Sequence, residues 1–274
     1  MTKILIFGAG GYLGGKLKEI YPDASTPKID IADPMQVSKI FDELTPDIVI
    51  NAAGKTGKPN VDWCEEHKEE TLRANVTGPL VLLDECMKRK IYLVHVGSGC
   101  IFGGPKEGGY TEEDEPNFTG SFYSLTKAMS DRLLKPFPVL QLRIRMPFDG
   151  TKSPRNLLTK LRGYKRVLDA KNSITYMPDF FEALQKLVAK RATGIYNVVN
   201  PGTVSPYEIM VRYKNEVDPT HEFERLPLDN ISDVVKAGRS NCELSGAKLA
   251  QEGIVMRPSS EAITEAFAAL VKAS

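Results

Sequence analysis

An α/β fold, a doubly wound parallel sheet with a smaller interleaved C-terminal α/β lobe, is predicted by three observations. Short apolar, β-branched runs at Lys3 to Phe7, Asp47 to Asn51, Ile91 to Val96 and Val139 to Arg145 are separated by helical patterns. Strands buried on both faces read in this continuous way, and their alternation with helices implies parallel pairing. A glycine-rich turn directly follows the first run. Two later runs end in small residues, Ala52-Ala53-Gly54 and Gly97-Ser98-Gly99, at the carboxyl edge where such sheets bind ligands.

With 274 residues, the chain can form one large domain or two lobes. Its 36 basic residues balance 35 acidic ones without a basic run, which argues against nucleic acid and membrane surfaces as partners. No apolar stretch approaches a membrane span, and Met1-Thr2-Lys3 runs into a strand rather than opening a signal or transit peptide. Cys64, Cys86, Cys100 and Cys242 are scattered without CxxC spacing, so no disulfide framework or zinc site is indicated. His67, His95 and His221 suggest no metal site either. A reduced, cytoplasmic enzyme fits this composition.

In the first loop, Gly8 makes the tight turn, Gly11 lets the backbone approach a pyrophosphate, and Gly14 permits close helix–strand packing. A glycine triplet alone fits a plain turn. With a strand before it and a helix after it, the dinucleotide reading is favoured, with phosphate at the helix N-terminus. A second strand is placed within Asp23 to Thr26. Asp33-Pro34 reads as an N-cap and first-turn proline, opening a helix to about Glu43. A long helix is expected from about Glu65 to Lys90, with Asn75 in its middle, and another around Tyr123. Beyond Met146-Pro147, Ser153-Pro154 opens a short helix bearing Asn156 and Lys160, and Pro178 opens another. Ile195 to Val199 is a late strand, Ser205-Pro206 caps a further helix, and Ser259 to Ala273 is a terminal one. These elements suggest a dinucleotide-binding lobe over 1–150, joined by about 171–200, and a substrate lobe over 151–274.

Ser98 and Cys100 fall at a strand end, and Tyr123 and Lys127 are four apart on one helix face. Tyr-xxx-Lys alone is a common surface pair. Combined with the upstream serine, the glycine loop and Asn75, it resembles the extended short-chain dehydrogenase/reductase superfamily over the first 150 residues, which implies a Rossmann-type lobe. The resemblance makes Tyr123 the acid/base, Lys127 the group that lowers its pKa and holds the nicotinamide ribose, and Ser98 the hydrogen-bond partner of the substrate oxygen. A phenol of pKa about 10 acts near neutrality only beside a fixed positive charge.

The stretch Asn51-Ala52-Ala53-Gly54-Lys55-Thr56-Gly57-Lys58-Pro59-Asn60-Val61-Asp62-Trp63-Cys64-Glu65 resembles a narrower group, the bifunctional 3,5-epimerase/4-reductases of UDP-rhamnose synthesis. So do Gly99-Cys100-Ile101-Phe102, Glu113 to Tyr123, Arg145-Met146-Pro147, Ser153-Pro154-Arg155-Asn156, Asn200-Pro201-Gly202 and Arg239-Ser240-Asn241. An insertion carried by the plant members near Gly104 to Gly109 is missing. The resemblance assigns proton transfer at C3 and C5 of a 4-keto sugar to Cys100 and Lys160. It assigns cofactor contacts to Gly8, Gly11, Tyr12, Leu13, Gly14, Asp30, Ile31, Ala52, Ala53, Gly54, Asn75 and Met146, with Asp30 near the adenine, besides Tyr123 and Lys127. Thr56, Ser98, Asn156 and Arg239 would bind substrate, although Arg239 fits a salt bridge equally well.

The expected cofactor is NADP(H), with NAD(H) possible: Ser25-Thr26-Pro27-Lys28 stands where a NAD-specific loop carries an acid. The implied partner is a nucleotide-sugar substrate, with UDP or dTDP as its carrier, and the helices after Glu65 and at Ser121 allow a homodimer. Reduction alone, GDP-fucose-type synthesis, and a non-catalytic nucleotide-binding subunit are the competing readings.

Overall fold

The computed structural model describes residues 2–58 and 60–272. Pro59 of the resemblance motif, Met1, and Ala273 at the end of the expected last helix lie outside the described residues. Strand β1 (Ile4–Phe7) runs into Gly8, whose φ of +86° is open to glycine but strained for other residues. Helix α1 (Tyr12–Ile20) then packs back onto the turn. A Cβ at Gly14 would lie 2.1 Å from the Gly8 carbonyl oxygen, and backbone cannot move aside as a side chain could. Gly14→Ala should therefore cost about 1–3 kcal/mol of stability by overpacking, measurable by denaturant titration.

The expected second strand shrinks to one bridge: Ser25 pairs parallel with Leu5, exchanging bonds with Ile4 and Ile6 at 2.9 Å. Helix α2 (Pro34–Leu44) follows, capped by Asp33, whose carboxylate accepts from the Met35 and Gln36 amides. Strand β2 (Ile48–Asn51) returns to the other side of β1. The chain thus reverses direction across the sheet beside the glycine turn, which opens a crevice there.

The long helix expected from Glu65 to Lys90 is broken. It comprises α3 (Trp63–Glu66), α4 (Lys68–Leu72), a single π-turn (Arg73–Thr77) and α5 (Gly78–Arg89). His67 leaves helical geometry at φ −124°, ψ 55°. Pro79 brings no amide to the carbonyl of Asn75, and the wider π-turn takes up the mismatch.

Strand β3 (Tyr92–Ser98), helix α6 (Phe122–Leu134) and strand β4 (Leu140–Ile144) complete the regular part, with Ser121 capping α6 through the Ser124 amide. Then come β5 (Pro147–Phe148), α7 (Leu157–Arg162), β6 (Arg166–Asp169), β7 (Asn172–Tyr176) and α8 (Met177–Ala189). Strands β8 (Gly194–Asn197) and β9 (Asn200–Val204) and helix α9 (Pro206–Glu216) lead to β10 (Glu224–Pro227) and a 3₁₀ turn (Leu228–Asp233). Helices α10 (Ala247–Gln251) and α11 (Ser259–Lys272) end the described chain.

The main sheet is parallel, ordered β1-β2-β3-β4-β8. Alternate residues feed two layers. Ile6, Ile48 and Ile50 meet Leu17 of α1 and Phe180, Leu184 and Leu187 of α8; Leu5, Phe7 and Val49 meet Val37, Phe41 and Leu82 of α2 and α5. This is a doubly wound sheet with helices on both faces. The second lobe holds the sheets β5-β7-β9 and β10-β6, packed against α7, α9 and α11.

The expected strand Ile195–Val199 is in fact two elements. The chain leaves the main sheet after Asn197 and pairs within the second lobe from Asn200 onward. Of the segment 171–200, α8 and β8 join the main sheet, whereas β7 pairs with β5 and β9. No helix among the described residues is long and apolar enough to cross a membrane.

Candidate active site

A cleft of about 770 Å³ opens at the carboxyl edge of the main sheet and extends under the second lobe. Its walls include Gly11, Tyr12, Leu13, Ala52, Ala53, Gly54, Thr56, Asn75, Ser98, Cys100, Tyr123, Lys127, Met146, Lys160 and Arg239, so these expected site residues converge. Gly8 and Gly14 shape the turn from behind. Asp30 and Ile31 do not line the cleft: the Asp30 carboxylate accepts from Arg73 Nε at 2.7 Å and the Ala32 amide, and Ile31 packs on Gly78.

Asn156 is corrected most clearly. It is fully buried ahead of α7 rather than on it, and its Oδ1 caps the helix at the Leu158 amide. Its Nδ2 donates to Asp149 and to the Thr151 carbonyl. With both ends of the amide occupied, none is left for a substrate. Thr56 does face the cleft, but its hydroxyl accepts from Arg155 Nη1 at 2.8 Å, and Arg155 also bonds the Gly57 carbonyl. Arg239 forms the salt-bridge alternative, 2.9 Å from Asp62, while its side chain stays on the cleft wall.

Gly11 caps α1 without a side chain, so its first-turn amides receive no cap from that position. A helix N-terminus of this kind suits a phosphate, and the Cβ-free cradle of Gly8 and Gly14 suits the expected dinucleotide. Asn75, set by the π-turn, holds the floor of this half-site. Its Oδ1 accepts from the Lys55 amide at 2.8 Å, and its Nδ2 donates to the Lys55 carbonyl and to Thr126 Oγ1.

At the end of β3, Ser98 Oγ accepts from the Cys100 amide at 3.1 Å, and Ser98 and the Tyr123 phenol share the cleft wall. Burial pushes that phenol above its ordinary pKa, with Cys100 adding to the effect and Ser98 and Arg145 opposing it. The Lys127 ammonium, expected to lower it, donates to the Val96 carbonyl at 3.3 Å. Burial pulls Lys127 itself down to about 8, against the pull of Asp131 and Cys100.

A lysine shifted this way binds fewer protons folded than unfolded between about pH 8 and its free value of 10.5, so stability rises with pH across that window. Lys127→Met should therefore stabilise the ligand-free chain near neutrality. That advantage should shrink toward about pH 10 in denaturant titrations.

Lys160 faces the cleft from the last turn of α7, its pKa lowered by burial and then by Arg155. Its ammonium has no hydrogen-bond or ion-pair partner among the described residues. Cys100 is half-buried, and its Sγ accepts from Arg145 Nη1 at 3.0 Å. Arg145 carries no signal in the sequence beyond its place in a matching motif, whereas Met146 was expected at the cofactor. Met146 adopts φ +42°, an uncommon backbone for a non-glycine residue, where the chain turns out of β4. Sequence reasoning also missed the ion pair of Lys16 with Asp149, 2.8 Å long, which ties α1 to the network around Asn156.

The family model described as the RmlD substrate binding domain matches residues 1–272. A bifunctional dTDP-4-dehydrorhamnose 3,5-epimerase/dTDP-4-dehydrorhamnose reductase of Arabidopsis thaliana is 40% identical over 260 residues, covering 90% of this chain and 86% of that protein. An A. thaliana trifunctional UDP-glucose 4,6-dehydratase/UDP-4-keto-6-deoxy-D-glucose 3,5-epimerase/UDP-4-keto-L-rhamnose-reductase is also 40% identical, over 262 residues. That alignment takes in 91% of this chain but spans only 40% of the relative's length. Among solved structures, the UDP-rhamnose synthase of Acanthamoeba polyphaga mimivirus superimposes with TM-score 0.93 at 32% identity, covering 97% of this chain and 99% of that one. A dTDP-4-dehydrorhamnose reductase from Bacillus anthracis in complex with NADP shares the fold at TM-score 0.81 and 23% identity, covering 97% of this chain and 98% of that one.

Proposed function

The chain belongs to the RmlD substrate binding domain family, and from that premise we propose that it converts an NDP-4-keto-6-deoxyglucose to NDP-rhamnose by 3,5-epimerisation and 4-reduction. The carrier is UDP or dTDP, as relatives named for each are similar to this chain. The observation that carries the proposal is Cys100 in the cleft with Ser98 and Tyr123, faced by Lys160, whose ammonium is unpartnered among the described residues, on the other lobe. Reduction alone gives no task to a thiol at that place.

NADPH, when bound, supplies the hydride for C4. Of the residues lining the cleft, Tyr123 would donate the proton to the C4 oxygen, Ser98 would hold that oxygen, and Lys127 would hold the ribose. In epimerisation, protons on C3 and C5 are acidified by the adjacent carbonyl. Cys100 takes one as the C–H electrons move onto the C4 oxygen, where Ser98 and Tyr123 steady the enolate. Lys160, its ammonium made more acidic by burial, returns a proton from the opposite face.

The NADPH preference is supported by Asp30, whose carboxylate is held by Arg73 rather than left free for a ribose 2′-hydroxyl. Incubation with UDP- and dTDP-4-keto-6-deoxyglucose should consume NADPH with higher kcat/KM than NADH and yield a rhamnose nucleotide. Turnover of pre-epimerised sugars alone would reduce the reading to a simple reductase. No turnover of any would favour a non-catalytic subunit.

A further inference from the structure

We propose that Arg145 is the positioning residue for Cys100: its guanidinium fixes the sulfur in the cleft and supplies the lasting positive charge against which the thiol gives up its proton. This deepens, and rests on, the reading of Cys100 as the base in epimerisation.

The contact is built rather than incidental. Arg145 is buried, and its Nη1 reaches both Cys100 Sγ at 3.0 Å and Ser240 Oγ at 2.9 Å. Its Nη2 donates to the Ser240 carbonyl at 2.8 Å and to Asn172 Oδ1. Ser240 and Asn172 therefore hold the guanidinium plane independently of the thiol, leaving one N–H directed at sulfur. The Nε–H has no partner among the described residues, so the fork is not saturated by a purely structural role.

Other titratable groups close enough to feel Cys100 are Tyr123 and Lys127 on α6, and Cys242 in the segment that carries Ser240. Burial raises Tyr123 and Cys242, which leaves both neutral at working pH. Lys127, drawn down to about 8, loses part of its charge as the solution turns alkaline. An arginine keeps its charge throughout. In the proton transfer, the ring C–H bond breaks and an S–H bond forms. The electron pair ends on the carbonyl oxygen, while Arg145 neither gains nor loses a proton.

The test is alkylation of the full ligand-free chain by iodoacetamide, followed at Cys100 by mass spectrometry, with Cys100→Ser as background. A charge-assisted hydrogen bond supports a rate near neutrality about tenfold to a hundredfold above that of Arg145→Met. Arg145→Lys should fall between them. The rates should converge above about pH 10, where solution alone ionises thiols. Should Arg145→Met fail to fold, as judged by circular dichroism, Arg145→Lys and Ser240→Ala, which removes one anchor, should still slow alkylation severalfold.

Equal rates in the folded variants would overturn the proposal, as would a deficit that persists at high pH, which signals occlusion. Exchange of the sugar's C3 and C5 hydrogens with D₂O separates the two readings. Absent exchange with an intact alkylation contrast rejects Cys100 as the base but keeps the charge role of Arg145. Normal exchange with no contrast rejects Arg145 alone.

Discussion

Tyr123→Phe should lower the rate of C4 reduction by about 10²–10⁴-fold, the usual contribution of a positioned acid or base. The variant keeps the ring in its buried seat at the start of α6 and removes only the hydroxyl. Dinucleotide binding should be little changed, because Lys127 and the glycine turn are untouched. Stopped-flow oxidation of NADPH with a pre-epimerised 4-keto sugar reads the step directly. Near-normal turnover would remove Tyr123 from the reaction.

Cys100→Ala should abolish exchange of the C3 and C5 hydrogens with D₂O, followed by NMR, while reduction of a pre-epimerised sugar continues. The separation is geometric. Ring carbons on either side of the carbonyl need a group other than the phenol that addresses the C4 oxygen. Cys100→Ser is the stricter form, since it keeps the size and replaces the thiol with a far weaker acid. Undiminished exchange from both positions in Cys100→Ala would end the case for two reactions in this cleft.

Sequence carried the sheet and most of the cleft because their signals are local. Strand-end residues such as Ser98 and Ala52 announce themselves by their neighbours, and Tyr123 and Lys127 by helical spacing. Asn156 carries a local signal of another kind: an asparagine directly before Leu157-Leu158 is an N-cap pattern. Pro79 likewise marked a fault inside the long helix. Other features had no local trace. Val198 and Val199 look like more strand, although the chain changes sheets there. Arg145 acquires its meaning from Cys100, Asn172 and Ser240, which lie 45, 27 and 95 positions away.

The crossing at Val198-Val199, together with the exit at Arg145-Met146, bears on how such proteins can be recombined. A fragment ending near Gly150 would leave the β4 edge bare where β8 pairs. It would also strip Phe180, Leu184 and Leu187 from the layer over β1 to β4. Neither lobe is a portable module. Grafting a relative's sugar-binding half while keeping this dinucleotide half whole requires junctions on both sides of α8 and β8, because a one-junction chimera would seat the relative's α8 and β8 on this chain's sheet.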